Sequence, residues 1–202
     1  LVGGIVGAGL AAAGLGHVQW AGLNKTLIAI VLSPTLGLIL TMGIMLLTSW
    51  LGIRASATGS EKTFRGLHQV SAGAYSLGHG LNDAQKTMGI ITAVLFASGY
   101  LGSFDVPLWV RFAAYAAIGL GTLAGGWRII HTMGSKITKL QPVGGFAAEA
   151  AAALALMTAT LIGVPVSTTH AITGAIVGVG STRRLSAVRW GVAGQIVWAW
   201  VL

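Results

Sequence analysis

Asn82, Asp83, Gln85 and Lys86 put an amide, a carboxylate, a second amide and an ammonium into one short stretch, Gly80-Leu81-Asn82-Asp83-Ala84-Gln85-Lys86-Thr87-Met88-Gly89. A second polar stretch, Pro165-Val166-Ser167-Thr168-Thr169-His170, sets three hydroxyls ahead of an apolar, glycine-punctuated run. Both offer binding rather than bond-making chemistry. A carboxylate beside amide and carbonyl oxygens suits a hard cation. Protonated, it becomes a hydrogen-bond donor instead. Ser167, Thr168 and Thr169 follow a proline where a helix can open. The free N–H groups and partial positive charge of such a helix start favour an anion. No nucleophile–base–acid set is present, and the Gly-x-x-x-x-Gly-Lys spacing of a phosphate loop is lacking, so no enzyme is expected. Lys86 reads first as an intrahelical partner of Asp83, three residues earlier, ahead of direct contact with an anion. His17, His68, His79 and His131 show no metal-type spacing, and His170 reads as a structural residue at a helix end.

The surroundings make these polar groups unusual. Of the 202 residues 54% are hydrophobic and only 8% are charged, with a mean hydropathy of +0.82. A soluble domain carries about 25% charged residues, so this chain lacks the means to build a water-exposed surface. An all-α integral membrane protein follows, a polytopic helical bundle. Polar side chains in such a chain are functional candidates by default. Two polar clusters, each at an expected helix break, point to a transporter site. The formal charge of +8 does not call for nucleic acid, because the basic residues sit mostly in short segments between spans. Cysteine is absent, so the redox compartment is unreadable. The chain has no initiator Met and begins inside an apolar run, which reads as a piece of something longer.

The spans that must position the two stretches are legible from hydropathy. Residues 1–15 are apolar and short for a complete crossing. Residues 26–51 carry no charge and would extend about 39 Å as helix, enough for a bilayer core of about 30 Å. Pro34 is expected to kink that helix. Residues 52–65 read as a loop bearing Arg54, Lys62 and Arg65, with 61–76 opening an interfacial helix. Further spans are expected at 87–101 and 109–130, a loop at 131–141, and two helices, 144–162 and 166–180, hinged at Gly163-Val164-Pro165. A last span starts at Trp190. Trp20, Trp50, Trp109, Trp190 and Trp198 fall near span ends, as in an interfacial belt.

Lys and Arg concentrate in 52–65, 128–139 and 181–189, which places those segments in the cytoplasm and 16–25 and 102–107 outside. One net crossing is then left for 66–101, too long for a simple helix, so a broken or re-entrant element is expected there, at Asn82-Asp83. Leu1-Val2-Gly3-Gly4-Ile5-Val6-Gly7-Ala8-Gly9 also lines up with Ile172-Thr173-Gly174-Ala175-Ile176-Val177-Gly178-Val179-Gly180. Val18-Gln19-Trp20 matches Val188-Arg189-Trp190 after a one-residue slip. The copies precede loops on opposite sides, as in an inverted-topology repeat. Residues 1–15 are thus read as the end of a first inverted repeat, and 16–202 as the remainder of one transmembrane domain truncated at both ends.

Gly80-x-Asn82-Asp83 and Val166-Ser167-Thr168-Thr169-His170-Ala171 resemble the duplicated signatures of PiT-type inorganic phosphate transporters. The resemblance spans essentially the whole chain, as the end of a first repeat plus most of a second. It implies a carrier moving inorganic phosphate with Na⁺ or H⁺. It places Asn82, Asp83 and Gln85 at the ion and substrate site, with Ser167, Thr168 and Thr169 as phosphate ligands. Glu149 is implied as a cation-site carboxylate. Asn82, Asp83 and Glu149 would be the metal ligands if the ion is Na⁺. The partners implied are phosphate and a lipid bilayer, with a homodimer left open, and the location is multi-pass in the cell membrane. No cofactor is expected beyond the coupling ion.

Physical chemistry accounts for such coupling. Two carboxylates close to phosphate would repel it by several kcal/mol per close pair at an effective dielectric constant of ~20. A bound cation, or a proton on the carboxylate, offsets that repulsion. Sulfate or another tetrahedral oxyanion would fit the same cradle. A helical scaffold, its polar residues merely joining helices, is the alternative of a different class, and a channel is weaker than either.

Overall fold

In lipid the backbone has no partner but itself, so long apolar runs become helices. The computed structural model describes residues 2–52 and 57–201, and every regular element among them is helical. The α-helices are α1 (Val2–Ala13), α2 (Trp20–Gly52), α3 (Ala57–Ala97), α4 (Leu108–Gly125), α5 (Trp127–His131), α6 (Pro142–Leu161), α7 (Thr168–Arg183) and α8 (Trp190–Val201). Three are long and apolar enough to cross a membrane: α2 over Trp20–Leu51, α4 and α6. Large apolar side chains such as Leu46, Phe112 and Leu123 stand on their outer faces, where lipid rather than water is the natural solvent.

Four helices form the core. Gly144 at the start of α6 lies against Val179 near the end of α7, so the two make an antiparallel hairpin. Its mouth is closed by Arg183, which donates to the Lys139 carbonyl at 3.2 Å and to Gln141 Oε1 at 2.9 Å. Its tip is the non-helical linker 162–167, the break expected at Gly163-Val164-Pro165. The second helix begins at Thr168, two residues later than the sequence implied. Helix α2 runs parallel to α7, with Pro34 beside Gly174 and Leu38 and Thr41 beside Gly178. Glycine is required in this pair: a Cβ on Gly174 would fall on the Pro34 backbone, and one on Gly37 would fall on the Ala171 carbonyl. Backbones approach this closely in membranes through small residues. The helix passes through Pro34 without ending.

Helix α3 runs parallel to α6, with His68 against Gly145 and Gly78 beside Leu156. Its continuity corrects two expectations. The helix already runs from Ala57, so Lys62 and Arg65 are helical, in keeping with the helix expected to open over 61–76 and not with the loop expected over 52–65, while 53–56 lie outside the described residues. No break occurs at Asn82-Asp83 either: all 41 residues are one helix. No proline interrupts 57–97, and the Asp83 carboxylate takes its hydrogen bonds from the Lys86 and Thr168 side chains. At about 60 Å this helix exceeds a bilayer core. The part of the helix around the exposed Arg65–Glu61 pair, 2.6 Å apart, takes up some of the surplus. The expected loop 131–141 is likewise partly helical, with a π-helical turn at Thr132–Lys136 following α5.

Lys136, Lys139, Arg183, Arg184 and Arg189 gather at the hairpin's mouth. Arg189 N donates there to the Ile137 carbonyl at 2.9 Å. Arg65 shares that end through the adjacent Phe64, 5.9 Å from Phe146. The two sequence-matched segments form the same turn. Val18 and Val188 each donate to the carbonyl three residues back, Leu15 and Leu185, at 3.4 Å. Trp20 and Trp190 donate to Val18 and Val188 at 3.0 and 3.1 Å. Leu23 and Ala193 donate to Gln19 and Arg189 at 3.2 and 3.1 Å. The first turn precedes α2 at the end away from the basic cluster, and the second lies within that cluster.

Candidate functional site

One face of α3 carries polar residues for several turns: His68, Ser71, Tyr75, His79, Asn82, Asp83 and Lys86. Steps of three and four residues keep them on one stripe. That stripe faces α6 and the start of α7. Asp83 meets the first helical residue of α7, whose Thr168 Oγ1 donates to Asp83 Oδ2 at 3.1 Å. Lys86 Nζ donates to Asp83 Oδ1 at 2.9 Å and to the Val166 carbonyl at 3.4 Å. The pair expected along the helix is therefore formed, and it reaches the hairpin tip as well. His79 Nδ1 lies 3.4 Å from Asp83 Oδ2 but is misaligned and makes no hydrogen bond. The Tyr75 hydroxyl donates to the Thr168 carbonyl at 3.3 Å, and its ring stacks on His79 at 6.0 Å.

At α7 the three hydroxyls divide their tasks. Ser167 is the N-cap, its Oγ accepting the His170 N–H at 3.4 Å. Thr168 is 1% exposed and faces Asp83. Thr169 is exposed. Gln85 is exposed too, because two residues after Asp83 a helix has turned through roughly 200°. The His170 ring stacks on Trp200 of α8 at 3.8 Å. Two buried polar atoms on the α3 stripe have no hydrogen-bond partner, His79 Nδ1 and Asn82 Oδ1, and neither does His170 Nδ1, whose ring lies against Trp200. Buried polar atoms are nearly always paired, so the two open ones on the helix face that carries the Asp83–Lys86 pair mark a place where a polar ligand gains bonds.

Glu149 stands in a separate cluster. Ser71 Oγ donates to its Oε2 at 2.8 Å, and His68 Nε2 lies 3.3 Å from its Oε1. On α3, Ser71 is roughly three turns from Asp83. Gly145 makes room for the imidazole, since a Cβ there would come within 2.5 Å of His68 Cε1 and Nε2. Tyr75 lies on the stripe between the two carboxylates. His68, Ser71, Tyr75 and His79 were not singled out from sequence, although their spacing in phase with Asp83 was a signal for them.

A model of the phosphate transporter family matches residues 53–202. A relative from Rhizobium meliloti, described as a probable low-affinity inorganic phosphate transporter, is 61% identical over 203 aligned positions, covering all of this chain. A relative of the same description from Bacillus subtilis is 40% identical, again over the whole chain. The chain spans 61% of the length of each of these two relatives. A solved structure described as the sodium-dependent phosphate transporter superposes with a TM-score of 0.87 at 24% identity, covering 99% of this chain and 67% of its own. At that identity the likeness is one of fold.

Proposed function

This chain belongs to the phosphate transporter family, and from that premise we propose that it moves inorganic phosphate across a cell membrane in symport with a coupling ion, Na⁺ or H⁺, by alternating access. The observation that carries the reading is the convergence of Asp83 and Lys86 on the N-terminus of α7, with two buried polar atoms, His79 Nδ1 and Asn82 Oδ1, unpaired on the same stripe of α3. Phosphate near neutral pH carries between one and two negative charges and strong acceptor oxygens. The α7 start supplies N–H groups and the Thr168 hydroxyl. A phosphate that keeps one proton can donate to a carboxylate acceptor such as Asp83, which sulfate cannot. This favours phosphate over sulfate in the same cradle. Glu149, with His68 and Ser71, is the second carboxylate through which an ion or proton could be coupled. Residues 1–15 are read as the end of the first copy of an inverted repeat, so a complete site draws on residues from both copies.

The test is radiolabelled phosphate uptake into proteoliposomes holding the full-length protein, under a Na⁺ gradient, a proton gradient or neither. Gradient-dependent uptake that Asp83→Asn abolishes supports the symporter. Absence of phosphate uptake under every gradient, with sulfate uptake in its place, would sink it.

A further inference from the structure

Both oxygens of the Asp83 carboxylate are already held by donors. Oδ1 accepts from Lys86 Nζ at 2.9 Å. Oδ2 accepts from Thr168 Oγ1 at 3.1 Å and faces His79 Nδ1 at 3.4 Å. Lys86 also reaches the Val166 carbonyl at 3.4 Å. A carboxylate oxygen plus a backbone carbonyl freed at a helix break is the ligand set a hard monovalent cation would take. Here an ammonium occupies it. We infer that Lys86 is the resident countercation of this site: its ammonium stands where a metal cation would otherwise neutralise Asp83, and it sets the site's ion selectivity by excluding Na⁺ from the Asp83 and Val166 oxygens.

The chemistry follows from what an ammonium can do. It cancels the charge that would repel an incoming oxyanion. It has three N–H donors; two are engaged by Asp83 and Val166, and the third can point to the anion. The Lys86 side chain is 38% exposed, so it is not sealed from an arriving ligand. The link also joins α3 to the hairpin tip, so the same charge that receives phosphate holds the two elements together. Lys86 is thereby given a selectivity role in the phosphate reading above, on which this inference rests.

The experiment compares radiolabelled phosphate uptake by full-length protein in proteoliposomes, in NaCl and in choline chloride, for the unmodified protein, Lys86→Gln and Lys86→Arg. The expected result is uptake unaffected by replacing Na⁺ with choline. Lys86→Gln should lower uptake about tenfold or more, because the carboxylate is left uncompensated. Lys86→Arg should retain a substantial part of it, because the charge survives. Uptake that requires Na⁺ in the unmodified protein, or that survives Lys86→Gln unchanged, overturns the assignment. If neither variant folds, the Na⁺ response of the unmodified protein decides alone. No phosphate uptake by the unmodified protein under any condition refutes the phosphate reading instead, and with it the premise of this one.

Discussion

Thr168, the first helical residue of α7, donates its hydroxyl to Asp83 Oδ2 at 3.1 Å, across 85 positions of chain. The contact joins a carboxylate in mid-helix to the N-terminal end of another helix, where a negative charge and a hydroxyl donor meet. A hydrogen bond to a charged group is worth about 1.5–3 kcal/mol. Thr168→Val keeps the shape and removes the donor, and should lower phosphate uptake at least about tenfold, while Thr168→Ser should keep most of it. Initial uptake rates in proteoliposomes check both. Equal rates for the valine and serine variants would remove Thr168 from the site.

The close packing of α2 on α7 makes a separate prediction about stability. A Cβ on Gly174 would fall on the Pro34 backbone, which has no flexible end to yield. Gly174→Ala should therefore destabilise the protein by about 1–3 kcal/mol, as overpacking does. Gly43, on the same α2, lies on an exposed face, and a Cβ there would meet nothing within 4 Å. Gly43→Ala should be neutral or stabilise by up to about 1 kcal/mol. Thermal unfolding in detergent distinguishes the two, and equal midpoints would contradict the packing described.

Hydropathy made α2, α4 and α6 legible because lipid imposes one rule on every residue of a crossing, whereas the separate span expected at 87–101 is the last part of α3, which ends at Ala97. The hairpin break was equally legible, since Gly163 and Pro165 act locally. The continuity of α3 was not. The loop charges leave one crossing for 66–101, too long for a simple helix, which puts the expected break at Asn82-Asp83. Gly78 packs beside Leu156 of α6 and Asp83 is held by Thr168 of α7, neighbours that no local window contains. The same limit applies to the site. Asp83 and Thr168 were legible as chemistry, and the structure brings them together. Gln85 and Thr169 share their neighbours' motifs but not their helical phase, so their side chains turn outward. Glu149 pairs with His68 and Ser71, residues whose relevance depends on the parallel course of α3 and α6.

The exposed pair of Arg65 and Glu61 should contribute little despite its 2.6 Å separation. Both side chains are largely solvent-exposed, and such pairs one helical turn apart are worth about 0.3–0.5 kcal/mol. Glu61→Ala should leave the unfolding midpoint and phosphate uptake nearly unchanged. A large loss of either would mean that this end of α3 contacts something other than solvent.

The Glu149 cluster yields the sharpest test of how α6 serves α3. Gly145 lies one turn before Glu149 on α6, and a Cβ there would come within 2.5 Å of the His68 ring. The imidazole would be forced away from Glu149, 3.3 Å from it in this structure. The carboxylate would then keep only the Ser71 hydroxyl, at 2.8 Å. If the His68–Glu149 contact matters for coupling, Gly145→Ala should reproduce the loss of uptake of His68→Ala, about tenfold, although it removes no polar group. The double variant should be no worse than either single one, because both break the same contact. Rates measured for the two single variants and the double decide the point. Additive losses would show that Gly145 acts through helix packing and not through His68.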